Sequence, residues 1–147
     1  MSKLCYILEM SISALFLAAS IQFSLPQGLL DSICWVETKH DVSAIHYQDG
    51  SSNSIGICQI KWNTAKDLGF KGTEQQLLNP KTNIFYAAKY LQYQFLRYNG
   101  DIEKTIVAYN QGSVKLLTQT AYSRRVIQHW REETHERYII VDRRHQE

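Results

Sequence analysis

The sequence predicts an all-α fold in one domain, with a polar loop or small hairpin after the first helix of that domain. Three observations carry this expectation. Apolar residues recur at helical spacing in four separate stretches, among them Leu30, Ile33 and Cys34, and Ile84, Ala88 and Leu91. Residues that start and stop helices flank these stretches: Pro80 before one, Gly69, Gly100 and Gly112 after others. A chain of 147 residues, 44% hydrophobic and 20% charged, has material for one core and too little for two.

The elements follow in order. A hydrophobic stretch runs from Leu4 to Leu25, preceded by Lys3 and containing an apolar run, Ile12 to Ile21, broken only by Ser13 and Ser20. With the small residues Ala18 and Ser20 at its end, it has the pattern of a signal peptide removed near residue 20. Glu9 interrupts it, which disfavours a membrane span of about 20 apolar residues. A buried first helix is the alternative reading.

After Pro26, the residues Leu30, Ile33, Cys34 and Glu37 fall on one face of a helix. Residues 41–56 are rich in Asp, Ser, Asn and Gly, which predicts a loop with a small hairpin at Asp49-Gly50. A helix is expected from Gln59 to Leu68, and a connecting loop from Thr73 to Asn79. Pro80 begins the longest helix, striped by Ile84, Ala88, Leu91, Phe95 and Tyr98. Asp101 reads as the N-cap of a helix that buries Ile102, Ile106, Val107 and Tyr109 up to Gly112. A last helix is predicted from Thr120 to Tyr138, with Tyr122, Val126, Ile127 and Trp130 inward, followed by a polar, fraying tail at 141–147.

Composition and spacing exclude several functions. Sixteen Lys and Arg against fourteen Asp and Glu give a net charge of +2 with no basic block, so nucleic acid is not an expected partner. The five histidines form no metal-ligand pattern, Asp49 to Asn53 lacks the glycine and terminal glutamate of a calcium loop, and no phosphate-cradling glycine loop occurs; neither metal nor cofactor is expected. Of the cysteines Cys5, Cys34 and Cys58, the first leaves with a signal peptide. The remaining pair reads either as one disulfide in an oxidising compartment or as two reduced buried thiols.

Glu37 stands at the end of an apolar stripe, where a purely structural sequence would place Leu or Ile. Partial burial there disfavours the charged carboxylate, the property a general acid near neutral pH needs. Glu37-Thr38, then a polar loop, then S-I-G-I-C-Q-I from Ser54 to Ile60, A-Y-N from Ala108 to Asn110, and Tyr122 in A-Y-S-R-R-V together resemble a soluble lytic transglycosylase domain of the goose-type-lysozyme-like group. The resemblance covers about residues 25–130 and implies an α+β lysozyme-like variant of the all-α fold.

That resemblance implies roles. Glu37 matches the catalytic glutamate, which protonates the β-1,4 bond between N-acetylmuramic acid and N-acetylglucosamine in peptidoglycan. Gly56 and Gln59 match a G-x-x-Q segment lining the saccharide groove, and Cys58, where methionine is common, would make the groove wall smaller. Tyr109 and Asn110 match the pair beside the reacting sugar, and Tyr122 a tyrosine that faces the acid. Thr38 departs from the usual serine, and Gln111-Gly112-Ser113 from the usual A-G.

Asp41 and Asp49 are weak candidates for a second carboxylate, since one sits where the helix should end and the other before a turn glycine. The resemblance implies a route without one: the substrate's acetamido oxygen assists, and Glu37 then acts as base on the C6 hydroxyl, leaving 1,6-anhydromuramyl ends. The expected division is a leader or anchor at 1–20, a catalytic domain at 21–140 and a tail at 141–147. The expected setting is periplasmic or secreted, as a monomer acting on glycan strands, in local opening of the wall for a secretion, conjugation or phage apparatus. Alternatives are a hydrolase of the same bond, with water aligned by Asp49, or a catalytically idle glycan-binding component of an envelope machine.

Overall fold

The computed structural model of the chain describes residues 10–144. Cys5 and the amino-terminal part of the expected leader lie outside the described residues. Helix α1 (Ile12–Gln22) is capped by Ser11, whose hydroxyl accepts from the Ala14 amide at 3.2 Å. Its inner residues Phe16 and Ala19 are 3% and 7% exposed and belong to the main core. The domain boundary expected at residue 20 therefore falls inside a core helix, and a cut there would strip Phe16 and Ala19 from their packing. Among the described residues, no helix is long and apolar enough to cross a membrane.

Helix α2 (Leu29–Thr38) buries Leu29, Leu30, Ile33 and Cys34. Three short antiparallel strands follow, β1 (Ile45–Asp49), β2 (Ser52–Ile55) and β3 (Ile60–Lys61), in the order β1-β2-β3, with Ile45 opposite Ile55 and Ser54 opposite Lys61. The expected hairpin is present, turning at Gly50-Ser51, one residue beyond the expected Asp49-Gly50, and Gly50 has φ +74°. The third strand was not expected. It takes the place of the predicted first turn of the next helix, so α3 begins only at Trp62 (Trp62–Asp67). The predicted loop at 73–79 contains a one-turn helix, α4 (Glu74–Leu77), held by a reciprocal capping box between Thr73 and Gln76.

Helix α5 (Pro80–Arg97) runs through the centre of the domain. Its buried face is Asn83, Ile84, Ala87, Ala88, Leu91 and Gln94, rotated from the expected stripe so that Phe95 and Tyr98 are only half-buried. The reason is polar: Asn83 and Gln94 bond to neighbouring segments and so occupy positions that hydrophobicity alone leaves to solvent. Helix α6 (Ile102–Gln111) is capped by Asp101, which accepts from the Lys104 amide at 3.0 Å, and ends at Gly112 with φ +81°. Helix α7 (Ala121–Arg144) starts at a reciprocal Thr120–Ser123 cap and runs on through residues expected to be tail.

The main core gathers α1, α2, α5, α6 and α7 around Leu30, Ile33, Ile84, Leu91, Ile106 and Val126. Each such fully buried side chain is worth roughly 1.5–3 kcal/mol. A smaller cluster, Ile55, Ile60, Ala65 and Leu77, packs the sheet against α3 and α4. The domain is thus mostly helical with a small sheet, and a groove lies between that sheet and α6.

Candidate active site

Glu37 lies in the last turn of α2 and is half-buried. The helix stops just beyond it because Lys39 and His40 both take left-handed backbone, with φ 54° and 64°. His40 turns back so that its Nε2 meets Asp31 Oδ1 at 2.7 Å. That carboxylate is the main reason the His40 imidazole titrates above its ordinary value, and burial opposes the shift in part.

The segment 56–59 is strapped to this helix end at two points. Cys34 and Cys58 form a disulfide with their Cα atoms 4.3 Å apart, and the Thr38 hydroxyl donates to the Ile57 carbonyl at 2.7 Å. Gly56 has φ +77°, and a Cβ there would collide with the Asn83 side-chain amide. Asn83 brackets the segment from α5: its Nδ2 donates to the Ile55 and Leu77 carbonyls at 2.8 and 2.9 Å, and its Oδ1 accepts from the Cys58 amide at 3.0 Å. Gln59, itself at φ 50°, donates from Nε2 to the Ala44 and Gly56 carbonyls at 3.1 and 3.0 Å, closing the sheet side of the groove.

Two tyrosines converge from the other side. Tyr122 on α7 donates to Glu37 Oε1 at 2.7 Å, and Tyr109 on α6 donates to the Cys58 carbonyl at 2.8 Å. Burial, with the Glu37 charge second, pushes both phenols well above their ordinary range. They therefore remain protonated donors at any physiological pH.

Two clefts meet at Glu37. One, of about 300 Å³, is lined by Glu37, Gln59, Tyr90, Tyr109 and Asn110. The other, of about 390 Å³, runs past Thr38, Ala44 and Tyr47, and the two share Glu37, His46 and Gln59. Among the described residues lining them, Glu37 is the sole carboxylate. Asp41 takes no part: its carboxylate accepts from the Ser43 amide and hydroxyl at 3.0 and 2.8 Å, which hold it below its ordinary range and tie it to its own turn. The side chain of Asp49 lies outside the described residues.

The expected site residues thus separate into two sets. Glu37, Gln59, Tyr109 and Asn110 line the cleft, with Tyr122 behind Glu37. Cys58 does not form groove wall; its sulfur is fully buried in the disulfide, its amide donates to Asn83, and its carbonyl accepts from Tyr109. Gly56 is likewise buried and works through its backbone. Tyr90, whose ring lies 5.3 Å from that of Tyr109, lines the cleft without having been expected, as do His46 and Thr64. Tyr90 falls next to the α5 stripe, at a position that helical periodicity assigns to neither core nor site.

Comparison with known proteins places this geometry. The chain matches the model of the transglycosylase SLT domain over residues 14–129. It is 29% identical over 112 residues to protein IpgF of Shigella flexneri, covering 75% of this chain and 73% of that protein. It is 31% identical over 105 residues to the peptidoglycan transglycosylase gp16 of Escherichia phage T7, covering 69% of this chain but 8% of the relative. Among solved structures, the 70 kDa soluble lytic transglycosylase of Escherichia coli superposes with a TM-score of 0.58 at 25% identity, over 67% of this chain and 16% of that one. An inactive mutant of lytic transglycosylase Slt from Pseudomonas aeruginosa gives 0.61 at 24% identity, over 71% and 17%, a likeness of fold alone. The chain therefore spans most of IpgF and a small part of the longer proteins.

Proposed function

The chain belongs to the transglycosylase SLT family, and from that premise we propose that it is a lytic transglycosylase acting on peptidoglycan glycan strands. The observation that supports this reading best is a single carboxylate, Glu37, standing where two clefts meet and held by the Tyr122 hydroxyl. Glycosidases that use two carboxylates place them about 5 to 9.5 Å apart across the bond. We adopt a single-carboxylate route with substrate assistance, in which Glu37, the sole carboxylate among the described lining residues, serves as acid and then as base.

In the proposed reaction, protonated Glu37 gives its proton to the oxygen that links N-acetylmuramic acid to N-acetylglucosamine. The bond from that oxygen to the muramyl C1 breaks, and the acetamido oxygen bonds to C1. Glu37, now a carboxylate, takes the proton of the muramyl C6 hydroxyl as O6 attacks C1 and expels the acetamido oxygen. The acid is regenerated and no water is consumed. Asn110, exposed at the cleft rim, is placed to orient the acetamido group, and Tyr122 holds Glu37 in position through both proton transfers.

Such a substrate lies outside the cytoplasm, and we assign the protein there. We place any processing of an amino-terminal leader ahead of α1, a reading supported by the packing of Phe16 and Ala19 in the core. Digestion of purified glycan strands with mass readout tests the function: 1,6-anhydromuramyl ends, one water lighter than reducing ends, are expected, and Glu37→Gln should abolish them. Reducing ends alone would make the protein a hydrolase, and intact strands an idle binder.

A further inference from the structure

A cavity of about 620 Å³, larger than either cleft at Glu37, lies elsewhere among the described residues. It lies between α1, α2 and α7 and shares no lining residue with the clefts at Glu37. Trp35 and Glu37 are two residues apart on α2, so their side chains leave that helix roughly 200° apart. One side of α2 faces the reaction, and the other faces this cavity.

Its chemistry is specific. Trp35, 37% exposed, stacks on His129 with ring centroids 5.4 Å apart and meets His40 edge-on at 5.3 Å. Phe16 lies 5.2 Å beyond His40. The two carboxylates of the wall each face an imidazole: Asp31 meets His40 at 2.7 Å and Glu133 lies 4.0 Å from His129. Ser13, Ser20 and Gln27 add hydroxyl and amide groups, and no Lys or Arg is among the described lining residues.

No Lys or Arg among the described lining residues offers a partner to a phosphate, and the carboxylates of Asp31 and Glu133 each already face an imidazole. Aromatic surface set among planar hydrogen-bonding groups suits a saccharide bound through its neutral N-acetylglucosamine units, within the range of roughly 300 to 1,000 Å³ common for ligand sites. We propose that this cavity is a second saccharide-binding site, which holds a neighbouring glycan strand while Glu37 works on another. The inference rests on the proposed peptidoglycan substrate. Five of its wall residues, Ser13, Ala14, Phe16, Leu17 and Ser20, come from α1, so the site exists only while α1 stays on the chain.

The test compares Trp35→Ala, which removes the aromatic wall, with Ser13→Trp, which fills the cavity from the exposed side of α1 and deletes no core contact. The readout is the ratio of initial rates on intact sacculi and on soluble, peptide-free glycan chains, alongside cosedimentation with sacculi in a Glu37→Gln background. Both variants should lower the ratio about tenfold, which corresponds to roughly 1.4 kcal/mol of lost strand binding, and should weaken cosedimentation in parallel. Equal losses on the two substrates, or none on either, would overturn the proposal, as would protection of the Trp35 indole by a lysine-rich peptide and not by glycan chains. Cleavage of soluble chains by the parent protein reports on the proposed function separately, and cosedimentation needs no catalysis.

Discussion

The Tyr122 hydroxyl and the Glu37 carboxylate, 85 residues apart in the chain, meet in a 2.7 Å hydrogen bond across the contact between α7 and α2. Two further contacts keep the antiparallel helices in that register: His129 Nδ1 lies 3.0 Å from the Ser32 hydroxyl, and the Trp130 indole donates to the Gln27 carbonyl at 2.8 Å. Placement of the acid is thus a property of the helix pair.

Tyr122→Phe keeps the ring and deletes the donor. We expect kcat on glycan strands to fall roughly tenfold to a hundredfold, a fraction of the 10²–10⁴ that a positioned acid or base supplies, with KM little changed. Stability should change by only about 1 kcal/mol. Steady-state kinetics together with a urea melt checks both parts, and a loss confined to stability would show that the bond does not serve the reaction.

Reduction of the Cys34–Cys58 disulfide opens a link between residues 24 apart. Loop entropy sets the cost at about 3 kcal/mol, and for a domain of this size that lowers Tm by on the order of 10 °C. Thermal melts with and without reductant measure it. Activity should drop as well, because the strap holding 56–59 against the last turn of α2 then depends on the Thr38–Ile57 hydrogen bond.

Asn83→Ala leaves the Ile55 and Leu77 carbonyls and the Cys58 amide without their bracket. Three buried backbone groups losing a partner should destabilise the domain by roughly 3 kcal/mol or more. Asn83→Asp retains an acceptor for Cys58 but turns a carboxylate oxygen toward the two carbonyls at a fully buried site, so it should destabilise at least as much as alanine in chemical denaturation.

The His40–Asp31 pair makes stability pH-dependent. The folded-state pKa of His40 is raised above its ordinary value of 6.5, first by the Asp31 hydrogen bond, so protonated His40 favours the fold. Its contribution is fully present below about pH 6.5 and is lost as pH rises through the raised value. Relative to His40→Gln, the parent protein should be more stable at pH 6 than at pH 8.5. A difference independent of pH would mean that ring packing with Phe16 and Trp35 is the main contribution.

Much of this was legible in the sequence because its causes are local. Asp101 caps α6 through an amide three residues on, Pro80 begins α5 where no amide is needed, and Gly112 ends α6 in the left-handed region; each signal and its effect lie within one turn. Glu37 stood out only once the motifs from Ser54 to Ile60, Ala108 to Asn110 and Tyr122 were read with it, since an acid ending an apolar stripe reads first as a solvated helix end. Strand β3 was not, because two residues are too few to show an alternating pattern and it forms only by pairing with β2. Asn83 and Tyr90 were not, because a polar side chain on a helix looks solvent-facing until the segment that satisfies it has been placed.

The sequence by itself determined the order of the helices, most of their ends, the polar hairpin between α2 and α3, and Glu37 as the acid to be explained. Only the tertiary structure decided that Cys58 faces the core and not the groove, that α1 packs into the core as part of the domain, and that Tyr122 reaches Glu37. The physical reason is range. Caps and periodicity act over three or four residues, whereas the partner of a buried hydroxyl or carboxylate is set by how whole helices cross and by which faces the core leaves available.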